Sequence, residues 1–190
     1  MPRWVWLVAG GGALVLLVRA VAKRAGGGGT ISATLVAGKG IIYPGGRYHF
    51  VRKGGKVIHK GIDVWAAEGT PVAAAALGTV EMVGPAAGGS IISGYGEYVI
   101  LRHAGGIRTL YAHFSKIHVR AGQRVSQGQV IGAVGHTAYG ECGKYFCNEQ
   151  PHVHFEVITA DGPINKHITR TDPVGWLAAR GMRPAVGVAA

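Results

Sequence analysis

A chain of 190 residues is long enough for about one domain with a sizeable core. Apolar residues at 48% and charged residues at 15% exclude a disordered, charge-rich polymer, and the 33 glycines follow no triplet period, which excludes collagen. Twenty Lys and Arg against nine Asp and Glu give a net charge of +11 and an attraction to polyanions, but there is no aromatic-interleaved basic run, zinc finger, homeodomain or RNA-recognition pattern, so nucleic acid is not an expected partner and an anionic cell envelope fits the charge.

The first element is an uncharged run over residues 4–18, preceded by Arg3 and followed by Arg19, Lys23 and Arg24. As a helix it covers about 22 Å of a hydrocarbon core of roughly 30 Å, and extension to Ala22 with Arg19 snorkelling closes the gap. Ala20-Val21-Ala22 also fits a signal-peptide cleavage site, so residues 1–24 read as a membrane anchor or a signal segment. The basic residues after the run favour a cytoplasmic C-terminal side, which conflicts with export unless the chain is delivered by a virus particle. Three glycines at its centre disfavour a buried helix of a soluble protein. Residues 25–30 form a Gly-rich tether, residues 31–182 the folded domain and residues 183–190 a tail.

Strand-length runs follow at residues 70–74, 78–83, 97–103, 109–114, 129–134 and 153–158, separated by turn signals such as Gly84-Pro85, Ala104-Gly105-Gly106 and Asp161-Gly162-Pro163. The only helix-length amphipathic segment is 173–180. The fold class expected is mainly β, an antiparallel sheet assembly. Between two of the strands lie the only cysteines, Cys142 and Cys147. They suit a local disulfide if the domain is outside the cytoplasm, with two unpaired thiols as the alternative, and are too few for a four-thiolate zinc site.

Nine histidines accompany these strands, and three places have a metal-binding rationale. His59 and Asp63 stand four residues apart around Gly61, which can bend the chain so that both reach one ion. On the strand at 153–158, alternation puts His152, His154 and Glu156 on one face and Val153, Phe155 and Val157 on the other, so the apolar face packs while the histidine face points at a site. His113 closes the strand at 109–114. Two histidines and a carboxylate are a ligand set for catalytic zinc, which makes hydroxide available near pH 7. Spacing does not separate His152 from His154 as the ligand. With no H-E-x-x-H present, the spare histidines are the available proton acceptors.

These residues resemble the lysostaphin-type, or LytM-like, zinc metallopeptidases of family M23. The resemblance runs from about Gly45 to Leu177, over His59-Lys-Gly-Ile-Asp63, Gly69-Thr-Pro-Val, Gly94-Tyr-Gly-Glu-Tyr-Val-Ile-Leu-Arg-His103, Thr109-Leu-Tyr-Ala-His113, His152-Val-His154-Phe-Glu and Asp172-Pro-Val-Gly-Trp-Leu177. It implies one zinc per chain on His59, Asp63 and His154, with His113 and His152 as the catalytic pair, one taking a proton from water and the other stabilising the oxyanion or protonating the leaving amine. It implies bacterial peptidoglycan as substrate, its peptide stems or cross-links being cut outside the cytoplasm by a membrane-anchored, secreted or virion-associated enzyme. All five positions are filled, which separates this chain from relatives that have lost their ligands and act as activators; a wall-binding or activating module is the alternative, and a purely structural zinc domain a third. Tyr48 reads as a cleft wall or a packing residue, and Glu156 as an outer acceptor orienting a ligand or a solvent-facing strand residue. His103 matches a turn-forming family histidine and reads as structural, and the remaining histidines default to the surface. The Cys142 and Cys147 insertion, where the family has a short Gly- and Ser-rich turn, alters one wall of the cleft and leaves the bond cleaved open.

Overall fold

The computed structural model describes residues 34–37, 40–42, 46–52, 57–85, 93–138, 150–159 and 169–184. The N-terminal apolar segment, the tether and both cysteines lie outside them. Among the described residues no helix is long and apolar enough to cross a membrane.

The strands, in chain order, are β1 (Ile41–Ile42), β2 (Val51–Arg52), β3 (Val57–Ile58), β4 (Ile62–Trp65), β5 (Pro71–Ala73), β6 (Gly78–Pro85), β7 (Glu97–Arg102), β8 (Arg108–Ala112), β9 (Phe114–Ile117), β10 (Arg124–Val125), β11 (Val130–Val134), β12 (His152–Ile158) and β13 (Arg170–Thr171), followed by the helix α1 (Pro173–Ala178). The main sheet runs β1-β4-β12-β8-β7-β6-β10, with β13 also paired to β12, and every pairing in it is antiparallel. β12 is paired on both sides: β8 runs along one side, while β4 takes the first half of the other side and β13 the second. A second sheet, β5-β11-β9, packs on one face, and β2-β3 form a separate hairpin.

Alternation divides the residues of the main sheet between two layers. Val153, Phe155 and Val157 join Val99, Leu101 and Tyr111 in the core shared with Val72, Ile131 and Phe114 of the second sheet. Phe155 and Tyr111 meet at 5.1 Å between ring centroids, and the buried Tyr111 hydroxyl accepts the Ala75 N–H. Each such large apolar side chain contributes about 1.5–3 kcal/mol by leaving water. On the opposite face Tyr98, Ile100, Leu110, Ala112 and Ile158 form a smaller layer, beside which the polar residues of β12 stand.

Two expectations change. The run at 109–114 is not one strand: it breaks at His113, whose φ of 67° is left-handed, because β8 belongs to the main sheet and β9 to the second, so the chain must turn between them. The helix stops at Ala178 rather than at residue 180, with Gly181 left-handed just beyond. Its start follows the Asp-Pro pattern, both Asp172 carboxylate oxygens accepting backbone N–H groups, from Val174 and Gly175. The strands β1, β2, β3, β4, β10 and β13 had no separate expectation, since two to four residues are too few to show a period.

Candidate metal centre

Register builds the site. Asp63 of β4 lies directly opposite His154 of β12, and Trp65 opposite His152, so all four occupy one face of the sheet. The small Ala112 is the neighbour of His154 on the β8 side. His59 precedes β4, its backbone N–H bonded to Phe50 and its carbonyl to the His49 N–H. Gly61, between His59 and Asp63, lets this segment lie against β12: a Cβ there would stand 2.3 Å from the Phe155 carbonyl oxygen.

Three ligand atoms converge. His59 Nε2 lies 3.1 Å from Asp63 Oδ1 and 3.0 Å from His154 Nδ1, and the last two are 2.7 Å apart. The outward nitrogens fix the tautomers. His59 Nδ1 donates to the Arg47 carbonyl (2.9 Å) and His154 Nε2 to the Glu156 carboxylate (3.0 Å), so each neutral imidazole turns a lone pair inward. Two nitrogen lone pairs and a carboxylate oxygen facing one another, all buried, require a positive charge among them. Without a metal that charge is a proton: burial alone would lower the pKa of His154, but its bonds to Asp63 and Glu156 and their charges push it up to about 9, and the same bonds drive Asp63 far below the ordinary carboxylate range against its own burial. A divalent metal ion would meet the same demand, and two histidines with one carboxylate, one ligand atom each, are a donor set that could hold it.

Glu156 is buried, not solvent-facing, which overturns one of its two readings. Its Oε1 accepts from both His154 and the Tyr95 hydroxyl (2.6 Å), and its Oε2 accepts from Arg170 Nε on β13 (2.6 Å). Burial would raise its pKa, but these donors hold it down to about 2, so it stays an acceptor. Tyr95 also stacks on the His154 ring, with centroids 5.5 Å apart, and its own hydroxyl is held protonated by burial and by Glu156. Tyr48 is partly buried against the core, its hydroxyl donating to the Arg170 carbonyl at 3.0 Å.

The two other histidines lie beside the trio. The rings of His113 and His152 are 4.6 Å apart, and His113 is 6.1 Å from His154. Each gives its Nδ1 proton to a backbone carbonyl, His113 to Thr137 and His152 to Gln150, both at 2.7 Å, leaving Nε2 as the lone-pair nitrogen on both. Burial, then the neighbouring His152 and His154, lowers the His113 pKa to about 3, so it is neutral at physiological pH. His103 is elsewhere, clamped between the Leu77 carbonyl and the Thr109 hydroxyl.

The sequence pattern of Peptidase family M23 matches residues 57–166. The chain belongs to peptidase family M23. A DD-carboxypeptidase/endopeptidase Mpg of Neisseria meningitidis serogroup B is 39% identical over 108 residues, 57% of this chain and 22% of that protein. The peptidoglycan DD-endopeptidase ShyA of Vibrio cholerae is 38% identical over 109 residues, 56% of this chain and 22% of that protein. Among solved structures, the catalytic domain of the antimicrobial peptidase lysostaphin from Staphylococcus simulans superposes with a TM-score of 0.54 at 30% identity, covering 70% of this chain and 87% of that one. The fold is therefore the lysostaphin-like M23 fold, and the match covers about a fifth of the length of these two curated relatives.

Sequence reasoning passed over Tyr95, Arg170 and Thr137, together with the Arg47 and Gln150 carbonyls. A backbone acceptor leaves no trace in residue type. Tyr95 does stand inside the quoted Gly94-Tyr-Gly stretch, and that was the one available signal.

Proposed function

We propose that this M23 chain is a zinc-dependent endopeptidase that hydrolyses peptide stems or cross-links of bacterial peptidoglycan outside the cytoplasm, with residues 1–24 directing it to or through a membrane. The observation that carries the reading is the convergence of three inward lone pairs, on His59, Asp63 and His154, beside two imidazoles, His113 and His152, each held at Nδ1 by a backbone carbonyl. His59, Asp63 and His154 hold the ion. Zinc there supplies Lewis acidity toward a scissile carbonyl and a water molecule. Glu156 fixes His154, and Tyr95 and Arg170 fix Glu156.

His113, kept neutral by burial, accepts a proton at Nε2, and His152, one ring away, takes the complementary part as imidazolium at the oxyanion or the leaving amine. The wall as substrate is supported by the endopeptidase names of Mpg and ShyA and by the net charge of +11, which draws the chain to an anionic envelope.

The test is release of new amino groups from purified peptidoglycan of several cross-link types by the full chain, with and without a zinc chelator and with His113→Ala. Chelator-sensitive release that His113→Ala abolishes supports the reading and reveals the bond. A folded, zinc-loaded chain that releases nothing from any wall would overturn it in favour of a wall-binding or activating module.

A further inference from the structure

His113 carries a Cβ yet sits in left-handed backbone, a conformation that persists only where the surroundings impose it. Two bonds do so: its backbone N–H donates to the Tyr95 carbonyl at 3.0 Å and its Nδ1–H to the Thr137 carbonyl at 2.7 Å. Thr137 is itself immobilised. Its side chain is buried, and its hydroxyl accepts the Glu97 N–H (2.9 Å) from the start of β7 and donates to the Phe114 carbonyl (3.0 Å) at the start of β9. Gly96, with φ 58°, presses on the same residue, for a Cβ there would lie 2.4 Å from the Thr137 carbonyl carbon and oxygen. Packing alone would accept valine in place of threonine; the two hydroxyl bonds demand an oxygen that both donates and accepts.

We propose that Thr137 is a positioning residue for His113: its hydroxyl, tied to β7 and β9, fixes its own carbonyl so that the imidazole is held as the Nδ1–H tautomer with Nε2 offered to the reaction. This rests on the reading of His113 as a proton acceptor. A neutral imidazole free in water prefers its proton on Nε2, so a carbonyl that drifts releases the ring to the tautomer that cannot accept there. The effect on activity falls on turnover, since the ring's place in the reaction changes while substrate contacts do not.

The experiment pairs kinetics on a soluble cross-linked stem-peptide dimer with nitrogen NMR of histidine-labelled full chain, in wild type, Thr137→Val and Thr137→Ser. Thr137→Val is expected to lose about tenfold in kcat with KM and zinc content unchanged, and to show His113 as a mixture of tautomers. Thr137→Ser, which keeps the hydroxyl, is expected to stay within about twofold of wild type with the single Nδ1–H tautomer. Thr137→Val with wild-type kcat and tautomer would overturn the proposal. So would wild-type His113 found with its proton on Nε2, a result that needs no variant to fold. If the wild type cuts dimers of no cross-link type, the peptidase reading fails while the tautomer measurement still decides this inference.

Discussion

The carboxylate oxygen of Asp63 and Nδ1 of His154 lie 2.7 Å apart across β4 and β12, and in the metal-free protein that contact needs a proton. With the pKa of His154 pushed up to about 9, against about 6.5 in the unfolded chain, the proton stabilises the metal-free fold below pH 6.5, and this stability is lost as pH rises through 9. A zinc ion bound there would take the proton's place. Its binding at pH 7–8 is expected to release about one proton per ion. Calorimetry of zinc addition in buffers of different ionisation enthalpy measures that number, and a value near zero would show that His154 is not the site's proton carrier.

Glu156 joins His154 to Arg170, and its two ordinary replacements should separate its two effects. Glu156→Ala removes the acceptor shared by His154, Tyr95 and Arg170 and so breaks a buried ion pair, which costs about 3–5 kcal/mol. Glu156→Gln keeps an acceptor and the shape, so the fold should survive while zinc affinity drops about 10–100-fold. Thermal melts and competitive chelator titration read the two effects. A Gln variant with wild-type zinc affinity would remove Glu156 from the metal centre.

How far the site was legible depends on the distance over which its parts speak to each other. The two faces of β12 follow from alternation alone, because His152, His154 and Glu156 against Val153, Phe155 and Val157 is a period-two pattern and the strand is long enough to show it. The break at His113 was hidden, since Thr109-Leu-Tyr-Ala-His-Phe is apolar and β-prone throughout and only the division between two sheets forces the turn. Arg170 and Tyr95 meet at Glu156 from 14 and 61 residues away, and no local spacing encodes such a meeting.

Gly61 tests whether close strand approach is what brings His59 and Asp63 to β12. An added Cβ meets the Phe155 carbonyl oxygen at 2.3 Å, so Gly61→Ala must push β4 outward, an overpacking cost of about 1–3 kcal/mol. Melting temperature and zinc content should fall together. Gly94→Ala, where nothing lies within 4 Å, is the control and should change neither. A Gly61→Ala protein with full zinc content would mean that the pairing tolerates the shift and that the glycine serves some other purpose.

His113 makes the acid side of the stability curve. Burial, helped by His152 and His154, lowers its pKa to about 3, whereas in the unfolded chain it protonates near 6.5. The unfolded state therefore binds more protons between those values. Stability contributed by the neutral ring is fully present above pH 6.5 and drains away as pH falls toward 3. Asp63 and Glu156, whose pKa values are also lowered, add their losses only below the unfolded carboxylate range, near pH 4. Between pH 6.5 and 4.5 the loss thus comes from histidines, from His113 together with His103, whose pKa burial also lowers, and the difference between wild type and a His113 variant isolates the former. His113→Asn is the informative variant, because asparagine tolerates left-handed backbone and does not titrate. In urea unfolding of the metal-free full chain, the wild type should lose stability more steeply than the variant over that interval, by on the order of 1–2 kcal/mol in total. Parallel curves would mean that His113 takes up a proton as readily folded as unfolded, and would remove it as the neutral acceptor beside the metal centre.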